Sequence, residues 1–492
     1  MTDESVKQDA GSQFSRKVAG GLLWNSLTFG FGKLVVLLTT SVLARLLTKA
    51  EFGQVAVAVV AINYLAVIKD LGLGVALIQR RGEVDNAANT VFTINTMLGF
   101  FISALIIPLA PPIADYFRDP GVVPVLRWLG LSFAINALGS VHMIWLLRDL
   151  DYRRKFIPDM GNTVVKGIAS IGLAFAGFGV WAMVIGQIAG ALTSVILVWI
   201  ILPWRPRLMI DRSIAGSLIK FGSSIIGGDI LGTIIDNIDY IIVGRLFGLA
   251  QLSVYTLAYR LPEMLLIGNL WVLGEIAFPA FSSIQDKPEE MRNGFLGSVR
   301  LVELIATPIS LGLFIAADPI IRVVFGEQWL EAIPMLRVLA IYAWVYSIGF
   351  HIGGIYKAVG RPYILFNLSV FTLIILVPAL LIGAQFGVIG IAWGHLIAVL
   401  IRRVVSLAVA TRFVNVTLKD IFSQLVPSLR AGLVMTPLAF AVLYAASGLT
   451  PIVQLILVVI TGAVSYLGVA WWTEKENLFR LMKAIGGSKK KA

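Results

Sequence analysis

The sequence predicts an all-α polytopic membrane protein. It should have about fourteen transmembrane helices, arranged as two pseudo-symmetric six-helix lobes around a central cavity plus two C-terminal helices. Three observations predict this. Hydrophobic residues make up 58% of the 492 and charged residues only 14%, against about 25% charged in a soluble globular chain. Mostly apolar runs of about 20 residues, the length that crosses a bilayer, recur from Val18 to Trp472. Three stretches of the first half return in order in the second, about 200 residues later.

The spans are bounded by short polar loops. The first, 18–46, follows the polar segment MTDESVKQDAGSQFSRK, which lacks the form of a cleavable signal peptide, so this span is expected to act as the insertion signal. Next come 53–79, closed by QRRGE, and 87–110 with 121–147, closed by RDLDYRRKF. Ranges 157–177 and 179–202 lead to WRPRLMIDR, and 213–246 with 250–281 lead to DKPEEMRN. Ranges 293–325 and 329–357 end at YKAVGRP, and 362–384 with 387–412 end at a basic stretch reaching Lys419. The last two are 426–447 and 451–472. With the N-terminus inside, about 26 basic residues fall in inside segments and about 5 outside, the bias expected of cytoplasmic loops. Both termini are therefore expected in the cytoplasm.

The repeat sets the domain plan. LARLLTKAEFGQVAVA (43–58) parallels VGRLFGLAQLSVYTLA (243–258), VPVLRWL (123–129) parallels IPMLRVL (333–339), and FGVWAMVIGQI (178–188) parallels FGVIGIAWGHL (386–396). The predicted divisions are a cytoplasmic segment 1–17, an N-lobe 18–202, a C-lobe 203–412, a segment 413–472 with an interfacial helix and the last two spans, and a basic tail 473–492. Six spans per lobe is even, so both lobes enter the membrane from the same side. A parallel repeat of this kind leaves a cavity between lobes and suits a rocking motion. VTLKDIFSQL (416–425) and ENLFRLMKAI (476–485) place apolar residues at helical spacing beside charges, as interfacial helices do, and the terminal lysines suit anionic headgroups.

Several function classes fall away. The net charge of +12 punctuates hydrophobic runs, so it encodes topology rather than nucleic-acid binding. With no cysteine and three histidines, neither a thiolate site nor metal chemistry is expected. There is no phosphate loop or nucleotide-binding domain, no cofactor is called for, and the chain does not read as an enzyme.

The informative residues are charges inside the spans, which are costly there and usually face a cavity or a partner. Arg127 and Arg337 occupy the same slot of the repeat. Lys33 and Lys69 stand far from span ends, Asp70 follows Lys69, and Asp229, Asp236 and Asp239 share one helix. Lys166, Lys220 and Glu275 add to the set. Each has a plainer reading. Arg127, Arg337 and Lys220 are near enough to helix ends to snorkel. Arg260–Glu263 and Arg300–Glu303, three residues apart, would each neutralise itself on one helix face. His142 and His351 fall in matching regions of the repeat and are read as satisfied interhelical residues.

In LLWNS, LARLLTKAEFG, DLGLGVALIQRR, NTVFTIN, LRDLDYRRKF, FGVWAM, LPWRPRL, DYIIVGRLFG, YTLAYRLPEM and FPAFSSIQ the chain resembles the bacterial polysaccharide transporter family. These are the Wzx-type exporters of lipid-linked oligosaccharides, within the multidrug/oligosaccharidyl-lipid/polysaccharide exporter superfamily. The branch of colanic-acid and teichuronic-acid exporters is most similar. The resemblance implies two lobes around a central cavity, alternating access, and a polyprenyl-pyrophosphate oligosaccharide moved from the inner to the outer leaflet of the bacterial cytoplasmic membrane. DNIDYII departs from the usual polar run of the seventh span by being more acidic.

A water-filled cationic cavity would replace the hydration that a diphosphate loses on entering hydrocarbon. The expected ladder is Lys33, Lys69, Arg127, Arg337, Arg260 and Arg300. Asp70, Asp236, Asp239 and Glu263 are candidates for proton or sodium coupling, or counter-ions to the ladder; the membrane potential is the alternative drive. Expected associates are membrane lipids, a polysaccharide polymerase and glycosyltransferases, with the protein itself a monomer. The competing reading is a cation-coupled drug or metabolite antiporter of the same superfamily.

Overall fold

The computed structural model describes residue 24 and residues 27–70, 72–80 and 82–486. The segment 1–17 and the terminal lysines lie outside that range. Among the described residues every regular element is helical and there is no strand. In order they are α1 (Leu27–Leu46), α2 (Lys49–Asp70), α3 (Leu73–Gln79), α4 (Val84–Phe117), α5 (Val122–Arg148), α6 (Tyr152–Phe175), α7 (Val180–Ile201), α8 (Arg212–Phe247) and α9 (Leu249–Pro262). After a π-helical turn at Glu263–Ile267 come α10 (Gly268–Ser282), α11 (Pro288–Ile315), α12 (Ala317–Val324), α13 (Ala332–Ser347), α14 (Ile352–Ala358), α15 (Tyr363–Ala384), α16 (Gly387–Val414), α17 (Leu418–Ala445) and α18 (Pro451–Gly486).

Among the described residues, eleven helical stretches are long and apolar enough to cross a membrane. The predicted spans 157–177, 213–246 and 250–281 are helical but fall outside that set. Charge and polarity account for α6, which carries Lys155, Asp159 and Lys166. The third holds a π turn just past Pro262. The spans keep large apolar side chains on their surfaces, such as Ile200, Phe386, Leu433 and Trp472, as a lipid-facing surface does.

Other expected spans are also divided. The helix expected over 53–79 stops at Asp70, and α3 restarts beyond Gly72, whose φ of 64° favours glycine. The helix over 329–357 breaks at Gly349, with φ 62°. Conversely, VTLKDIFSQL is no separate helix. A capping box between Thr417 and Asp420 starts α17, which then runs through Pro427 to Ala445.

Contacts divide the chain into two compact units. The first runs to Asn237 and includes Gly248–Ala250; the second holds Ile238–Phe247 and Gln251 onward. In the first unit a core of Leu73, Leu77, Val91, Phe92 and Val141 joins α3, α4 and α5. The irregular linker before α8 lies along α4. Asn89, Thr93 and Thr90 accept hydrogen bonds from the amides of Arg207, Met209 and Asp211 at 2.8, 3.1 and 3.2 Å. This satisfies backbone that no helix pairs. Arg148 donates to the carbonyls of Leu77 and Arg80, both at 2.7 Å, and so closes the end of α3. In the second unit Phe295, Val299, Ile355, Tyr356, Ala410 and Ile421 join α11, α14, α16 and α17.

Candidate functional site

The most concentrated polar site lies within the second unit, where α8, α9, α13 and α16 contribute to one buried network. Asp239 is 1% exposed. Its Oδ1 accepts from the Tyr240 amide at 2.9 Å, and its Oδ2 accepts from the Tyr255 hydroxyl at 2.9 Å. His395 Nδ1 stands 3.3 Å from the same Oδ2, an ion-pair distance without hydrogen-bond alignment. The imidazole lies 4.4 Å from the Tyr342 ring and stacks parallel to Tyr259 at 6.4 Å. The Tyr259 hydroxyl reaches that of Tyr342 at 3.5 Å. A carboxylate so buried is tolerable only when hydrogen bonds or an opposite charge surround it.

The six basic residues expected to form a ladder divide evenly between the units. In the first, Lys33 is half-buried on α1, with Nζ 3.8 Å from the centre of the Phe29 ring. Lys69, expected far from a span end, is instead half-buried in the last turn of α2, because that helix stops at Asp70. Arg127 on α5 is exposed, and its Nε donates to the Ile107 carbonyl at 3.2 Å. In the second, Arg337 is half-buried on α13. Arg260 stands 3.9 Å from Glu263 at the start of the π turn, as the spacing suggested. Arg300 pairs instead with Glu474 of α18, whose side chain is 2% exposed. Its expected neighbour Glu303 accepts from Ser347 at 2.7 Å. Asp236 is exposed on α8, Glu263 is exposed in the π turn, and the Asp70 side chain lies outside the described set.

The two histidines read as interhelical are buried. His142 Nε2 is 3.2 Å from the Trp204 carbonyl, and His351 Nε2 is 2.7 Å from Ser298 Oγ. Sequence reasoning missed His395 and the tyrosines around Asp239. A usable signal existed: His395 stands where the aligned FGVWAMVIGQI has Gln187.

A family model described as polysaccharide biosynthesis protein matches residues 42–334, more than half of the chain. The chain belongs to this family. The match agrees with the resemblance carried by the stretches from LLWNS to FPAFSSIQ. Among curated relatives, lipopolysaccharide biosynthesis protein WzxC of Escherichia coli (strain K12) is 25% identical over 79% of this chain and 80% of its own length. Teichuronic acid biosynthesis protein TuaB of Bacillus subtilis (strain 168) is 25% identical over 87% of this chain and 89% of its own. Among solved structures, the lipid II flippase MurJ in an inward closed conformation superposes with a TM-score of 0.73 over 93% of this chain and all of its own, at 15% identity. An inward-facing multidrug resistance MATE family transporter of the MOP superfamily gives 0.63 over 80% of this chain and 98% of its own, at 17% identity. These likenesses establish the fold of a multi-pass membrane protein.

Proposed function

We propose that the protein is a flippase that moves a polyprenyl-pyrophosphate-linked oligosaccharide from the inner to the outer leaflet of the bacterial cytoplasmic membrane. The product would feed a cell-surface polysaccharide such as O-antigen, capsule or exopolysaccharide. The observation that carries the reading is membership of a polysaccharide biosynthesis family by a chain whose helices are apolar enough to span a bilayer. The names of WzxC, TuaB and the lipid II flippase MurJ support it.

Fourteen spans are proposed, α6, α8 and the α9–α10 pair crossing in addition to the eleven apolar ones. The lobes 18–202 and 203–412 alternate access, with both termini in the cytoplasm. Lys33, Lys69, Arg127, Arg337, Arg260 and Arg300 serve the diphosphate. Arg300 does so while paired with Glu474, so that carboxylate must share it. Basic groups at membrane depth are costly, which is why a functional role for them is the first hypothesis to test. Asp70, Asp236, Asp239 and Glu263 are the proposed proton or sodium coupling groups. Coupling is dispensable if the potential suffices: each charge moved through 100 mV is worth about 2.3 kcal/mol, and an inside-negative potential expels an anion. A polymerase and glycosyltransferases are the proposed neighbours of a monomeric protein.

The test is reconstitution of the full chain in proteoliposomes, following a fluorescent lipid-linked oligosaccharide and, separately, a cationic dye. The account expects the oligosaccharide lipid to change leaflet and the dye to stay. Dye movement alone would establish the antiporter reading.

A further inference from the structure

A second buried polar cluster lies in the second unit, and neither the ladder nor the coupling groups proposed above account for it. Glu303 sits on α11 at 0% exposure. Its Oε1 accepts from the Ser347 hydroxyl, while its Oε2 is buried without a hydrogen-bond partner among the described residues. Two further buried oxygens nearby are also unfilled: Ser310 Oγ, two turns along the same helix, and the Tyr466 hydroxyl on α18. Tyr466 lies within electrostatic reach of Glu303. Arg403 of α16 meets the same end of α13. Its Nη2 donates to the Tyr346 carbonyl, and its Nε is buried and unpartnered. A buried carboxylate oxygen and a buried guanidinium nitrogen, both unsatisfied, are thus held at adjacent residues of α13, Ser347 and Tyr346. Such groups are stable when the acid is neutral, or when they close on each other.

We propose that Glu303 is a proton-binding site of the second unit, exchanging between a neutral acid hydrogen-bonded to Ser347 and a carboxylate paired with the Arg403 guanidinium. In the first state the proton is on Glu303 and Arg403 holds the Tyr346 carbonyl. In the second the proton has passed to water and Arg403 turns its Nε to Oε2. The partly exposed side of the cluster is Arg300, one turn from Glu303, with Glu474 beside it. Just before α14, the buried His351 lies 2.7 Å from Ser298 of α11, and the half-buried Arg402 adjoins Arg403 on α16. On α11, Thr307 accepts from Trp344 of α13 at 3.1 Å. Gly432 of α17 packs against Thr307 and Leu311, with Arg430 nearby and exposed. The π turn, packed on α11, brings Glu263, which is exposed, and the half-buried Arg260. A sodium ion fits this cluster poorly, because the Arg403 guanidinium would repel a metal cation. A proton needs no coordination shell.

The proposal goes beyond the flippase reading and does not depend on it, since its test uses no substrate. Infrared difference spectra of the full chain in lipid nanodiscs are recorded across a pH titration. The wild type should show a carboxylic-acid carbonyl band that vanishes as pH rises. Glu303→Gln should lack it. Arg403→Gln, which deprives the carboxylate of its partner, should hold it to higher pH. Should Glu303→Gln fail to fold, Glu303→Asp serves instead and should displace the band. The proposal is overturned if no band depends on Glu303, if the band persists at every pH at which the protein stays folded, or if added sodium at fixed pH removes it.

Discussion

Four residues before the shared stretch LARLL/VGRLF, the first unit buries Thr39 and the second buries Asp239. At the tenth position of the shared FGVWAM/FGVIGI stretch the first has Gln187 and the second His395. Continuing the VPVLRWL/IPMLRVL register, buried Ser132 stands where the second unit has Tyr342. The first unit therefore fills its repeated positions with small neutral groups. Thr39 packs so closely on α6 that a Cβ at Gly167 would stand 2.6 Å from its hydroxyl. The second unit fills the same positions with an acid, an imidazole and a phenol packed into one buried network. Even the shared arginine differs: Arg127 is exposed, and Arg337 is half-buried. A shared sequence register thus leaves each stretch free to differ in what it buries.

If that contrast is real, the second unit should be the less forgiving of the two. The largest effect is expected from Arg300→Met, which removes the guanidinium paired with the buried Glu474 carboxylate. Breaking a fully buried pair costs about 3–5 kcal/mol, and Arg300 is 33% exposed, so about 2 kcal/mol is expected here. Unfolding in detergent measures it; a variant as stable as the wild type would show the pair to be incidental. Asp239→Asn should come next. It weakens bonds to the Tyr255 hydroxyl and the Tyr240 amide and costs about 1–2 kcal/mol. Thr39→Ala in the first unit should cost less. The double variant Asp239→Asn with His395→Gln should depart from additivity by about 0.5 kcal/mol or more, because the groups share one network. Additive losses would separate the histidine from the acid. Smallest of all, Arg127→Ala should change stability by no more than about 0.5 kcal/mol, its one recorded hydrogen bond being to the Ile107 carbonyl.

The all-helical character of the chain was legible because a bilayer imposes one length and one polarity on every span. Local charge spacing was a partial guide. It placed Arg260 beside Glu263 but assigned Arg300 to Glu303, since spacing along one helix cannot see Glu474 arriving on α18. The breaks at Gly72 and Gly349 escaped for a similar reason: glycine at positive φ is common in loops, and hydropathy alone continues across it. The network around Asp239 required three distant helices to converge on one acid, and no periodicity within any one of them announces that.

The central claim is that basic groups at membrane depth serve an anionic lipid-linked headgroup, and Lys33 and Lys69 test it most directly. In proteoliposomes, Lys33→Ala and Lys69→Ala should each slow leaflet exchange of a lipid-linked oligosaccharide by about tenfold or more, with unfolding in detergent unchanged. Both variants flipping at the wild-type rate would contradict the account.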